Sequence, residues 1–237
     1  KGAAGMVMMN QRNQEANRHW RLDYGMPLGA VGMVKAPFDT LGDTLRGLKG
    51  ILRDLRKRPD KVLAALEVLI PHNIYYGLIT SDNEEGLPVF MPLHRGSYPF
   101  LNPHEWDTFY WAPLKRVVEG LWAKGRRTIF YAEGNWTPYL ERIAELPATS
   151  IVLHVDQTDM ARAKEVLGSK FCLSGNVPNS LLAYGTPEQV REYVKRLLDT
   201  YAAGGGFIID TAGIMQTDVK TENVLALIEA THKYGVY

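Results

Sequence analysis

Short apolar runs alternate with longer amphipathic segments along most of this chain, and this alternation constrains its fold more than any other feature. The apolar runs, rich in Val, Ile, Leu or Phe, occupy residues 28–34, 87–93, 128–131, 150–155, 171–174 and 206–210. Continuous short runs are typical of strands that are buried on both faces of a parallel sheet. Helix start signals, such as Asn102 before Pro103 and Thr186 before Pro187, open segments between the runs.

Alternating strands and helices predict a mostly parallel α/β sheet, which either stays open or closes into a barrel. An open, doubly wound sheet places a nucleotide at its switch point. However, the chain has no GxGxxG or GxxxxGK[ST] motif, and its Gly204–Gly206 run precedes a strand rather than a helix. A (β/α)8 TIM barrel has eight strand–helix units over about 250 residues. We therefore predict a single TIM-barrel domain over residues 1–237 that lacks about two N-terminal strand–helix units.

Charge and cysteine content argue against several classes of partner and site. The 27 Lys and Arg residues nearly balance the 26 Asp and Glu residues, for a net charge of +1. We therefore expect no nucleic-acid partner, and no membrane partner because no apolar run approaches the ~20 residues of a span. The single cysteine, Cys172, excludes an internal disulfide framework and fits a reducing cytoplasm, where we expect the protein to reside.

In a barrel of this type, catalytic residues lie at the carboxyl ends of strands and in the loops that follow. Ionisable or amide side chains lie at or after the end of each apolar run: Lys35 and Asp39; His94 and Arg95; Glu133; His154 and Asp156; Asn176; and Asp210. Glu133 directly follows the apolar stretch TIFYA, an unusual place for a surface acid, so we expect it to act as a ligand, base or substrate anchor. Because neighbouring residues alternate in direction, at most one of His94 and Arg95 should face the barrel axis.

Several of these residues also have purely structural interpretations. Asp156 and Asp210 are suited to capping a helix or binding loop amides. Asn176, after a glycine, is typical of a tight turn. His154 lies inside its strand, so its ring faces either the helix layer or the barrel interior.

Longer stretches of the chain resemble the uroporphyrinogen decarboxylase superfamily. The segments LNPHEWDTFYWAPLKRVVEGL, AEGNWTPYLERIAELP and LSGNVPNSLLAYGTPEQVREYVKRLL follow the motifs of that superfamily in the same order, within a resemblance from about Met26 to Tyr237. The resemblance implies a (β/α) barrel and one of two chemistries. The first is cofactor-free decarboxylation of the acetate arms of uroporphyrinogen. The second is methyl transfer to or from a corrinoid protein, often with zinc held by an H-x-C pair and a later cysteine.

The chain departs from both patterns where the chemistry would occur. The H-x-C-G-N of the family reads Tyr131 to Asn135 here, and the later ligand, or the histidine of the decarboxylases, falls near Ala212 and Gly213. The tyrosine of the decarboxylases falls near Asp43. The comparison therefore implies no thiolate–zinc site. We assign no metal ligands and expect no cofactor to be bound tightly by this chain.

The leading hypothesis is a methyltransferase-type enzyme that moves a methyl group between a small substrate and a corrinoid protein. Glu133, His94 and Asp210 are the predicted catalytic residues, with Glu133 as the acid for a departing oxygen or as a ligand of a metal bound by oxygen and nitrogen. Tyr131, Tyr98 and Trp136 are expected either to line an aromatic pocket or to be packing residues. The predicted substrate-binding residues are Arg95, Tyr98, Tyr131, Trp136, His154, Asp156 and Asn176.

Two alternatives remain open. A decarboxylase-like lyase of porphyrin biosynthesis needs an arginine-rich rim, for which the chain offers Arg95 and Arg46. A non-catalytic relative would bind a tetrapyrrole or another small ligand. A homodimer is left open for all three.

Overall fold

The computed structural model describes residues 2–26, 29–81 and 86–236. Five strands are present in this part of the chain: β1 (Val89–Leu93), β2 (Thr128–Ala132), β3 (Ile151–Val155), β4 (Cys172–Gly175) and β5 (Phe207–Ile208). All neighbouring strands are parallel, and their spatial order is the chain order. A parallel sheet in sequential order, with helices in the connections, is the arrangement of a (β/α) barrel.

Helices precede the sheet and fill the connections between its strands. They are α1 (Gly2–Asp23), α2 (Pro37–Asp39), α3 (Gly47–Lys57), α4 (Pro59–Thr80), α5 (Pro103–Glu105), α6 (Ala112–Trp122), α7 (Leu140–Ile143), α8 (Met160–Leu167), α9 (Asn179–Tyr184), α10 (Pro187–Tyr201) and α11 (Thr221–Tyr234). A π-helical segment (Thr40–Leu45) follows α2, and a second (Trp106–Trp111) joins α5 to α6. The predicted starts at Asn102 and Thr186 are confirmed, because each residue forms a capping box.

The first predicted strand, residues 28–34, is wrong in its extent. Leu28 lies outside the described residues, and the rest of the run forms only an isolated parallel bridge between Met33 and Phe90. Gly32 breaks the extended conformation with a φ of 70°, and a Cβ there would lie 2.4 Å from the carbonyl oxygen of Thr80. The segment nevertheless runs beside β1, since the N–H of Val34 donates to the carbonyl of Phe90.

The two faces of the sheet differ in what covers them. The face that includes Met91, Phe130, Leu153 and Leu173 is buried in the main hydrophobic core. The opposite face carries a row in register across the strands: Pro92, Tyr131, His154, Ser174 and Ile208. This second face corresponds to the interior of a barrel and contains the polar residues that matter below.

Helix α4 was not anticipated as a long apolar segment. Its 22 residues, with a mean hydropathy of 1.4 over a window of 18 of them, would suffice for a bilayer span, although the helix contains Pro71. One side of α4 is buried, including Leu66, Ile70 and Asn73. A core helix of a water-soluble protein meets the same criterion of length and composition, so this feature alone does not argue for a span.

Candidate functional site

The strand register brings the predicted site residues to one level. Leu93, Ala132 and Val155 are paired across β1, β2 and β3, and Val155 is paired with Gly175 of β4. The residues that follow these four strand ends are His94, Glu133, Asp156 and Asn176. A parallel bridge between Val177 and Thr211 places Asp210 beside Asn176. The predicted convergence of strand ends therefore holds for these five polar residues.

An open cavity of about 560 Å³ lies at this end of the sheet. Three predicted residues line it, Glu133, Asp156 and Asn176. The lining also includes three amide side chains that the sequence did not single out: Gln157, Asn179 and Gln216. Both charged lining residues are carboxylates, so the cavity has an acidic wall.

His94 is held between two carboxylates. Its Nδ1 lies 2.6 Å from Oδ2 of Asp43, and its Nε2 lies 3.8 Å from Oε2 of Glu133. Nε of Arg95 donates to the other oxygen of Asp43 at 2.8 Å. Both side chains reach the same carboxylate from consecutive loop positions, and neither lines the cavity, so the expectation that at most one of them faces the barrel axis stays a prediction.

Asp43 also accepts a hydrogen bond from Nζ of Lys35 at 2.9 Å, so three donors surround it. Burial raises the pKa of this carboxyl, but the three hydrogen bonds outweigh burial and hold the pKa below its ordinary value. An ionised Asp43 keeps the proton of His94 on Nδ1, which leaves Nε2 as the nitrogen that faces Glu133.

Asp39 lies under the same loop and is fully buried. Its carboxylate accepts hydrogen bonds from the backbone N–H groups of His94 (3.1 Å) and Arg95 (2.8 Å). The hydroxyl of Tyr110 donates a third, at 2.8 Å. Burial raises the pKa of Asp39 to about 6 despite these hydrogen bonds. Asp39 thus fixes the backbone that presents His94 and Arg95.

His154 faces the barrel interior and not the helix layer. Its ring stacks on Tyr131, with centroids 4.1 Å apart, and its Nδ1 lies 3.4 Å from Oδ2 of Asp210. Burial raises the pKa of the Tyr131 hydroxyl to about 12. Three carboxylates contribute to this increase, in the order Asp210, Glu133 and Asp156, so Tyr131 stands among the acids of the site.

Asp156 and Thr158 shape the loop after β2. Oδ2 of Asp156 accepts a hydrogen bond from the N–H of Gly134, and Oγ1 of Thr158 accepts one from the N–H of Trp136. Neither residue caps α8, because Asp159 does so through a bond from the N–H of Arg162. The structural interpretation of Asp156 as an acceptor for loop amides is therefore confirmed, although Asp156 also lines the cavity.

Of the predicted residues, only Glu133, Asp156 and Asn176 line the cavity; His94, Arg95, Tyr131, His154 and Asp210 lie outside its lining, and so do Trp136, Tyr98 and Arg46. Trp136 is buried, packs against Tyr110 with the two rings tilted, and donates its Nε1–H to the carbonyl of Glu133, so it supports the loop from below. Tyr98 is about half exposed and pairs through its backbone with Asn135. Arg46, the second arginine of the lyase hypothesis, is paired with Asp54 on the surface of α3 and does not join the rim.

The residues present do not fit the thiolate–zinc site of the family. Tyr131 and Glu133 occupy the positions of its H-x-C pair, and Cys172 lies at the opposite, amino-terminal end of β4. Within residues 2–26, 29–81 and 86–236, no group of three or more His, Cys, Asp or Glu side chains is arranged to hold a metal ion.

Asp43 was not predicted to belong to the site, and Lys35 and Asp39 were predicted only to follow the first apolar run. The signal available for Asp43 was its alignment with the tyrosine of the decarboxylases. Its partners His94 and Arg95 are 51 and 52 residues away in the chain, so no local pattern reports their contact.

Comparisons with known proteins agree with this architecture. A family model described as uroporphyrinogen decarboxylase (URO-D) matches residues 15–234. The uroporphyrinogen decarboxylases of Idiomarina loihiensis and Pseudoalteromonas translucida are 33% and 31% identical over 141 residues. Each alignment covers 57% of this chain but only 38% of the relative.

Among solved structures, a methyltransferase from Methanosarcina mazei matches with a TM-score of 0.73 at 22% identity. This match covers 91% of the chain described here and 62% of the methyltransferase. The likeness confirms the predicted α/β barrel fold. The chain thus spans less than two thirds of the length of the relatives it matches.

Proposed function

The chain belongs to the uroporphyrinogen decarboxylase family, and on that premise we propose that it is a methyltransferase-type enzyme that acts on a small methylated substrate. In the proposed reaction the methyl group passes to a cobalt(I) corrinoid that a partner protein supplies. The single observation that carries the proposal is the acidic cavity at the strand ends, where Glu133 lies beside the imidazole of His94. The likeness of fold to a methyltransferase supports the same class of reaction.

The acids of the cavity suit a methyl ether as donor. When the methyl carbon leaves an ether, the oxygen must gain a proton, and positioned acids lower the barrier of such a step by about 3–5 kcal/mol. Glu133, His94 and Asp210 are the groups that can supply this proton. A thiol acceptor, in contrast, depends on a metal to lower its pKa, and the ligands for that metal are replaced here.

The charge of the cavity argues against a substrate with many carboxylates. Glu133 and Asp156 line the cavity, and both carry negative charge when ionised. The nearby cations Lys35 and Arg95 are already bound to Asp43. The acetate arms of uroporphyrinogen would therefore meet like charge at the wall and find little compensating positive charge.

The lyase remains the second candidate because the curated relatives, at 31–33% identity, are named uroporphyrinogen decarboxylases. The single cysteine supports our proposal that either enzyme would work in the cytoplasm. Replacement of Glu133 distinguishes the two enzyme candidates from a non-catalytic relative, because in such a relative the replacement would leave ligand affinity unchanged.

The proposal is tested by mixing the protein anaerobically with cob(I)alamin and a panel of methoxylated aromatics, aliphatic methyl ethers and methylamines. We expect an absorbance spectrum of methylcobalamin with at least one donor. The same preparation is incubated with uroporphyrinogen, and carboxyl loss is followed by chromatography. If none of the donors yields methylcobalamin and uroporphyrinogen is converted, the lyase would replace the methyltransferase as the proposed function.

A further inference from the structure

The buried imidazole of His154 has an acceptor at each of its nitrogens. Nε2 lies 3.2 Å from the carbonyl oxygen of Ala212, which has no proton to give, so Nε2 must carry a hydrogen to make this bond. Nδ1 faces Oδ2 of Asp210 at 3.4 Å. The side chain of His154 is only 2% exposed, so water does not compensate a poor contact at either nitrogen.

A neutral His154 beside an ionised Asp210 would be unfavourable. With its single proton on Nε2, a neutral ring presents the lone pair of Nδ1 to a carboxylate that also presents lone pairs. Nδ1 has no hydrogen-bond partner among the described residues, and the 3.4 Å separation from Asp210 is that of an ion pair without hydrogen-bond alignment. One additional proton between the two groups removes this conflict, whichever atom holds it.

We propose that His154 and Asp210 share one proton in the resting protein, and that Asp210 passes it to the oxygen from which the methyl group departs. The transfer of the proton to oxygen rests on the proposed methyl transfer, whereas the shared proton does not. Asp210 is suited to this step because its side chain is 48% exposed, and Ala212 and Gly213, two and three residues further along the chain, line the cavity. The buried ring behind it holds the proton away from water.

The groups around His154 favour a shared proton. Tyr131 of β2 stacks on the ring, and Ser174 of β4 lies beside it in register, with its hydroxyl 3.5 Å from Asp210. Both are uncharged near neutral pH, and the hydroxyl of Tyr131 has its pKa raised to about 12. The carboxylates of Glu133 and Asp156 act on the hydroxyl of Tyr131, which stacks on the ring.

The proposed step is balanced. The bond between the methyl carbon and the ether oxygen breaks, and cobalt(I) supplies the electron pair of the new bond to carbon. The oxygen keeps the electrons of the broken bond, takes the proton of the shared pair and leaves as a hydroxyl group. Solvent then returns a proton to Asp210, which is exposed enough to receive it.

The shared proton is tested by nuclear magnetic resonance without any substrate. Protein labelled with ¹⁵N-histidine and ¹³C-aspartate is measured near neutral pH, and the signals of His154 and Asp210 are identified from the variants His154→Gln and Asp210→Asn. We expect either a protonated Nδ1 in addition to Nε2, or a protonated Asp210 carboxyl. An unprotonated Nδ1 together with an ionised carboxyl in the native protein would overturn the proposal.

Two matched variants distinguish a proton shared by His154 and Asp210 from a general effect of the cavity carboxylates. In Asp210→Asn the amide can donate to Nδ1, so we expect His154 to become neutral with an unprotonated Nδ1. In Asp156→Asn, which removes a carboxylate from the same cavity, His154 should keep its native signals. The same loss of the proton in both variants would contradict a proton specific to His154 and Asp210. Normal signals in a protein that methylates no corrinoid would refute the methyl transfer but not the shared proton.

Discussion

The carboxylate of Asp43 lies 2.6 Å from Nδ1 of His94, although 51 residues separate them in the chain. The contact links the π-helical segment after α2 to the loop after β1, and the opposite nitrogen of the ring faces Glu133 at 3.8 Å. A carboxylate behind a histidine orients the ring and stabilises its protonated form. Asp43 is therefore expected to act on the cavity through His94.

Replacing Asp43 by Asn should lower both activity and stability. Loss of the charge releases His94 and leaves Lys35 and Arg95 without their shared partner, so we expect methyl transfer to slow about 10–100-fold. The free energy of unfolding near neutral pH should fall by about 1–3 kcal/mol. Enzyme assays and urea denaturation measure the two effects.

The pH dependence of the Asp43→Asn effect has a definite sign. The pKa of Asp43 lies below its ordinary value of 3.8 in the folded chain, so its contribution is present above that pH and is lost as the pH falls through the folded pKa. The stability difference between native and variant protein should therefore shrink on acidification below about pH 4. A stability difference that grows on acidification would contradict an ionised Asp43 in the folded protein.

The contribution of Asp39 to stability should depend on pH in the opposite direction. Burial raises its pKa to about 6 from 3.8, so the stability linked to its protonated form is present below about pH 4 and is lost as the pH rises through about 6. The native protein should lose about 3 kcal/mol over this interval from this group alone, and Asp39→Asn should lack that decline. Urea denaturation of both proteins at a series of pH values measures the difference; parallel curves would show that Asp39 does not titrate there.

Gly96 should tolerate no side chain. A Cβ at this position would lie 2.2 Å from Cε1 of Tyr110 and 2.4 Å from Cη2 of Trp136. We expect Gly96→Ala to destabilise the fold by about 1–3 kcal/mol, because both rings are buried and cannot move aside cheaply. Gly29→Ala is the matched control, since its Cβ would meet no atom within 4 Å. Equal melting temperatures for the two variants would show that the loop after β1 is looser than described.

Cys172 should be dispensable for methyl transfer. Burial raises the pKa of its thiol and disfavours the thiolate that zinc or an alkylating reagent requires. Cys172→Ala should therefore retain native rates of methyl transfer, and the thiol of the native protein should react with iodoacetamide more slowly than free cysteine. Loss of activity in this variant would reopen a thiolate mechanism.

The fold and the level of the site residues could be predicted because both depend on local patterns. Apolar runs mark the strands, and in a parallel sheet every strand ends at the same edge, so Glu133, Asp156 and Asn176 were expected together. The contact between Asp43 and His94 could not be predicted, because it depends on how a distant helix packs against the loop. The direction of His154 was undecided for a related reason: alternation along a strand separates two faces but does not say which face is inside.

Trp136 shows another limit of the sequence. An aromatic residue three positions beyond a cavity acid is equally compatible with lining the cavity or supporting it. The structure shows support, since the indole is 1% exposed and binds the carbonyl of Glu133. The deciding factor is the packing of the indole against Tyr110 and Tyr139, which composition does not report.

The role of Glu133 in methyl transfer is tested most directly by comparing two isosteric variants in the formation of methylcobalamin from cob(I)alamin at a saturating concentration of the best donor. Glu133→Gln removes the carboxyl group of the cavity that faces His94, and Glu165→Gln removes an exposed acid that pairs with Arg162 on α8. We predict that the first variant is slower than native protein by about 100-fold or more, while the second keeps the native rate. Equal rates for both variants and the native protein would contradict the assignment of the cavity as the site of methyl transfer.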